Sequence, residues 1–189
     1  MATPVEPEAA GFVAAFVNTL DREEGRDELA TPHELAAWFR ARGLLAAEVR
    51  TSAADVNRTA ELREGLRELL LANNGAAEVA LDLSALNRYV DDSCARFQLR
   101  FEGDDWVLKP LAEGFDAALA QILLAVGQSV ADGSWARLKA CADEGCQWVF
   151  FDQSRNRAGH WCSMRSCGNR AKARQFRARR RPQAAPLSS

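Results

Sequence analysis

No residue from 153 to 189 is acidic, and the chain has only two histidines and five cysteines. No apolar run approaches the eighteen or so residues needed to cross a bilayer. The opening MATPVEPEAA lacks the basic and apolar regions of a secretory leader. Both points lead to the expectation of a soluble cytoplasmic protein with no membrane partner. No nucleophile–base pair and no metal set with an open coordination position can be picked out, so an enzyme is not expected. There are no internal repeats. The two histidines have modest expected roles: His33 as a surface residue in the first turn of a helix, His160 as a loop or phosphate contact. Cys94 is expected to be a buried single thiol.

The other four cysteines are Cys141, Cys146, Cys162 and Cys167, spaced C-x4-C, fifteen residues, C-x4-C. Two symmetric thiol pairs at this separation can close a tetrahedron around one metal ion. An all-thiolate set selects zinc or an iron–sulfur cluster, and the spacing is not that of a ferredoxin. Two disulfides would require an oxidising compartment. One structural Zn2+ per chain is therefore expected; four protein ligands leave no position for a reacting water.

Charge is divided unevenly. Residues 137–181 carry 12 Lys/Arg against 3 Asp/Glu, which leaves 12 of the 24 basic and 23 of the 26 acidic groups for residues 1–136. A charge run is commonly a solvated face, but this one is fused to a metal knot and has no acid after it. Unopposed charge repels itself, so a polyanion is the expected partner. Arg155, Asn156 and Arg157 lie in a turn and offer donors to phosphates and base edges. Asn169 and Arg170, at the start of a helix, could reach into a groove. Lys172, Arg174, Arg177 and Arg179 could grip the two backbones. On these grounds double-stranded DNA and RNA both remain open.

The preceding sequence predicts a mainly α domain with one small β-hairpin. Phe12, Phe16 and Leu20 mark a first helix. Thr31, Pro32 and Glu34 start a second that buries Leu35, Trp38 and Phe39. Ser52 and Asp55 cap a third that runs to about Asn73, with Val56, Ala60, Leu66, Leu69 and Leu70 facing a core. Asn73, Asn74 and Gly75 read as its stop, and another helix is expected near Ser84. Residues 96–110 alternate as a hairpin; residues 111–133 form a further helix. The expected division is a helical domain over 1–133, a finger over 134–181 and a disordered tail over 182–189. Within the finger, QWVFFDQ is expected as a strand, SRNRAG as its turn and HWC as the returning strand, in a treble-clef-like arrangement around the four cysteines. Asn18, Asp21, Trp38 and Arg63 could line a pocket for a small-molecule effector, or serve local structure instead. Oligomeric state is not readable.

The blocks CQWVF (146–150), Asp152-x-Ser154-Arg155-Asn156-Arg157, WCSM (161–164) and CGNR (167–170) followed by AKAR resemble the CGNR zinc finger. NTLDREEGRDEL (18–29), TPHELAAWF (31–39) and LREGLRELLLANNG (62–75) resemble the ABATE domain of stress-induced transcription regulators. The resemblance covers nearly the whole chain. It implies a bacterial, nucleoid-associated regulator whose finger binds DNA while the N-terminal domain senses a signal or holds a protein partner. The alternative is an RNA- or ribosome-associated zinc module.

Overall fold

A computed structural model of the chain describes residues 5–75, 96–103 and 105–180. The helix expected near Ser84, the Cys94 thiol, Arg181 and the tail 182–189 lie outside the described residues. In chain order the elements are α1 (Glu8–Val17), a short ribbon β1 (Leu20–Asp21) and β2 (Arg26–Asp27), α2 (Pro32–Arg40) and α3 (Ala53–Asn73). The hairpin β3 (Phe97–Glu102) and β4 (Asp105–Pro110) follows, then α4 (Gly114–Ala131), β5 (Leu138–Ala140), β6 (Val149–Phe151) and α5 (Asn169–Arg180). The fold is mainly helical with short strands, and ends in a four-cysteine finger.

The helix starts follow the sequence closely. Thr31 accepts the Glu34 N–H at the head of α2 with Pro32 behind it, and Ser52 and Asp55 form a reciprocal capping box on α3. Gly43 adopts a φ of 69°, the left-handed region that ends α2 cheaply only with glycine. Trp38 sits at the centre of the aromatic packing, edge-on to Phe39 at 5.0 Å and to Phe16 at 5.9 Å and stacked with Phe12 at 6.1 Å. α4 is apolar and long enough to cross a bilayer, but its Phe115, Ala118, Leu119, Ile122 and Ala125 are buried in the same core as α1 and α2.

Three features depart from the expected layout. The buried face of α3 is Thr59, Leu62, Arg63, Leu66, Arg67 and Leu70; of the expected core residues Leu66 and Leu70 are buried and Val56, Ala60 and Leu69 half-buried, and two arginines join the buried face. The finger hairpin pairs β5 with β6 (Leu138 with Phe151, Lys139 with Phe150, Ala140 with Val149), whereas residues 158–161 are not a strand. QWVFF is therefore the second strand of the pair, and the HWC return is replaced by a loop. Finally, Leu138, Ala140 and Val149 are buried in one cluster with Val17, Leu62 and Leu66. The finger's hairpin thus packs into the core of the helical domain, while Cys141, Cys146 and Cys167 form a separate buried cluster.

Candidate metal centre and nucleic-acid interface

β5 ends at Ala140, just before Cys141; the chain turns through Gly145–Cys146, and the Cys141 N–H donates to the Trp148 carbonyl to close the knuckle. The second pair comes from the loop before α5: Cys162, then a turn of π-helix over Met164–Gly168 that carries Cys167. All four Sγ atoms lie within 4.8 Å of one another, with Cys162 Sγ 3.6 Å from both Cys146 Sγ and Cys167 Sγ. Thiolates about 2.3 Å from a tetrahedral zinc are about 3.8 Å apart. No disulfide joins them. Burial pushes the Cys146 thiol up to about 12 and raises Cys162 as well, Cys141 adding to both. Burial opposes ionisation of Cys167 too, but its hydrogen bonds with Cys162, Cys146 and Ser166 outweigh that and bring it below the ordinary thiol range. Four thiols packed this closely need a dication among them to ionise together. The set fits one zinc ion.

The knot is held against the helical domain by buried and half-buried polar side chains. Asn18, just past α1, pairs with Val149 as another strand would: its amide donates to Val149 O at 2.9 Å and its Oδ1 accepts from Val149 N at 2.8 Å. Asn73 donates to Trp135 O and Leu138 O, at 3.0 and 3.1 Å. Asn74 donates to Ala140 O at 2.7 Å and His160 O at 2.9 Å, and its Oδ1 lies 2.9 Å from His160 Nδ1. Arg67, 1% exposed, donates to Val17 O (2.7 Å), Leu20 O (3.2 Å) and Gln147 O (2.8 Å), and to Glu64 Oε2 at 3.2 Å. Arg67, Asn73 and Asn74 were not anticipated as a finger anchor. The two arginines interrupting the apolar face of α3 were the available signal.

The proposed pocket residues are engaged internally. Arg63 forms a two-pronged pair with Asp27 (2.7 and 2.8 Å) and donates to Thr19 Oγ1. Asp21 Oδ1 accepts the N–H groups of Glu23 and Glu24 in its own turn. Asn18 bonds Val149 of the finger, and Trp38 is 6% exposed beneath the Arg42 guanidinium, 3.7 Å above its ring. Among the described residues, neither pocket is lined by all four. Trp38 alone reaches a shallow cleft beside Asp27, Glu28 and Glu34, and a larger groove of about 670 Å³ lies among Phe12, Arg42, Leu44, Gln121, Leu124 and Gln128.

The loop after β6 hangs on a buried ion pair. Lys139 Nζ meets Asp152 Oδ2 at 2.8 Å, both side chains at most 5% exposed, and also donates to the carbonyls of Arg157 and Gly159. Asp152 accepts in turn from the N–H groups of Ser154 and Gly159. A Cβ on Gly159 would stand 2.8 Å from Asp152 Oδ1, so the loop closes only with glycine there. This holds Arg155, Asn156 and Arg157 outward at the tip, with Arg157 at a φ of 54°. Burial raises the Asp152 carboxyl, but the bonds from Lys139, Ser154 and Gly159 together hold it well below the usual carboxylate range. A carboxyl lowered in the folded state stabilises above its unfolded value, and that stability is lost as pH falls through the folded one. Asp152→Asn, which strands a buried ammonium, is expected to cost about 3–5 kcal/mol above pH 5. In urea titrations the gap from wild type should narrow below about pH 4, where the unfolded carboxylate protonates; a gap independent of pH would refute this account.

On α5, Lys172 and Arg177 are exposed, and the Arg177 Nε donates to Ala173 O within its own helix. Asn169 donates to Arg165 O. Arg174 lies 3.4 Å from Asp143 Oδ1. Arg170 donates to Glu23, Asp143 and Cys167. The Arg179 side chain lies outside the described residues. His33 is exposed, and His160 is a loop contact to Asn74.

Comparison with protein families gives two matches that together run through this geometry. The ABATE family, described as "Putative stress-induced transcription regulator", matches residues 11–136, and the CGNR zinc finger matches residues 137–180. A search of curated proteins found no match.

Proposed function

Because the chain belongs to the ABATE family and carries a CGNR zinc finger, we propose that it is a DNA-binding transcription regulator of the bacterial cytoplasm. The zinc-centred finger is the DNA-contacting part, and the helical domain is its support and the receiver of a signal or protein partner. The observation that carries this reading is the basic surface built on the metal knot. Arg155, Asn156 and Arg157 are exposed at the loop tip and Lys172 and Arg177 on α5, in a stretch without acids after Asp152. Such a surface suits a duplex: flanking cations neutralise phosphates while Arg157 or Asn169 meets base edges. Cys141, Cys146, Cys162 and Cys167 would hold zinc, which fixes the direction of this surface and performs no reaction.

The test is salt titration of binding to a duplex DNA pool, with structured RNA as competitor. Neutralising four to five phosphates predicts that log K falls with log salt at a slope of about −4. Lys172→Ala or Arg177→Ala should weaken all sequences alike and make the slope shallower by about one. Binding insensitive to salt ends the nucleic-acid reading; preference for RNA at equal salt replaces the DNA regulator with an RNA-associated module.

A further inference from the structure

Where α5 leaves the knot, one side chain joins three parts of the molecule. Arg170 Nε donates to Asp143 Oδ2 at 2.9 Å. Its Nη2 donates to Glu23 Oε2 and to Cys167 Sγ, each at 3.0 Å, while Nη1 takes the other Glu23 oxygen. Asp143 lies inside the knuckle between Cys141 and Cys146 and is 5% exposed. Glu23 lies in the turn between β1 and β2, 147 residues earlier in the chain. One planar guanidinium therefore touches a metal-ligand sulfur, the loop that carries two more ligands, and the surface of the helical domain.

Four thiolates around one Zn2+ leave a net charge of −2, and a cation donating to one of the sulfurs offsets it. Partners of this kind orient metal ligands and commonly change metal affinity by about 10–100-fold. The fork of an arginine holds such a position only while its other donors are satisfied. Here Glu23 satisfies two of them, and the helical domain supplies it. We infer that Arg170 is a positioning residue of the metal centre, and that Glu23 makes zinc retention depend on the turn of the N-terminal domain. The inference stands whether or not the finger binds DNA.

The experiment uses full-length, zinc-loaded protein and follows zinc transfer to the chromogenic chelator 4-(2-pyridylazo)resorcinol. Glu23→Gln and Arg170→Ala are expected to release zinc about tenfold faster than wild type at low salt, the low end of that range. Arg170→Lys should fall between, keeping charge but losing the fork. Glu24→Gln, the same change one residue further along the turn, should behave as wild type. Because the Glu23–Arg170 contact is open to solvent, added NaCl should speed release from wild type and have much less effect on Glu23→Gln. Glu23→Gln releasing zinc at the wild-type rate, or Glu24→Gln accelerating it equally, would overturn the inference.

Discussion

Stripping zinc from the protein, or breaking the set with Cys167→Ser, is expected to lower the melting temperature of the whole chain in one transition. Zinc bound by four thiolates contributes an apparent 10–16 kcal/mol in small fingers, comparable to the total stability of a domain, about 5–15 kcal/mol. That energy is not confined to the finger here. The metal closes the knuckle joining β5 to β6, and Leu138, Ala140 and Val149 of those strands are buried with Val17, Leu62 and Leu66. Opening the knuckle releases apolar surface from both sides. Calorimetry with and without chelator, alongside elemental analysis giving one zinc per chain, measures this. A metal-free protein that keeps its helical signal and melts in an undisturbed N-terminal transition would show two independent modules.

Arg67→Ala should cost about 3–5 kcal/mol, although the residue touches no ligand, because it leaves buried polar groups unpaired. The guanidinium collects Val17 O and Leu20 O, carbonyls at and just beyond the end of α1, and Gln147 O from the knuckle. Gln147 has a φ of 49°, an unfavourable conformation for a residue with a side chain. The arginine helps to stabilise that turn from below. Arg67→Lys keeps the charge but offers a compact ammonium in place of a fork, so it should recover only part of the loss. Urea unfolding monitored by helical signal reports the cost. A loss under 1 kcal/mol for Arg67→Ala would mean that water replaces the guanidinium and that the anchor lies in Asn18, Asn73 and Asn74.

The zinc set, the starts of α2 and α3, the β3–β4 hairpin and the family were legible in the sequence. Each rests on residues close together in the chain: two C-x4-C pairs, Thr31-Pro32-x-Glu34, Ser52 with Asp55, the alternation from Phe97 to Phe101. Capping and ligand spacing are short-range physics, and local order is enough to reveal them. The pairing of the finger's strands was not legible, because QWVFF has the same strand character whichever neighbour it takes. The knuckle decides in favour of Leu138–Ala140 by bonding Cys141 N–H to Trp148 O. The meanings of Asn18, Asn73, Asn74, Arg67 and Arg170 were likewise hidden. In sequence, two asparagines before Gly75 end a helix, Arg67 is not among the apolar positions of α3, and an arginine after CGN belongs to a basic run. Most of their acceptors are carbonyls and carboxylates 27 to 147 residues away. Docking of the knuckle onto α1 and α3 buries Arg67 and Asn74, half-buries Asn18 and Asn73, and brings Arg170 to Glu23 at the surface. Composition and spacing therefore determined that a zinc finger with a basic arm ends this chain. Tertiary structure alone decided that the finger's hairpin packs into the helical domain's core, because burial creates the unsatisfied polar groups that side chains such as Arg67 and Asn74 answer.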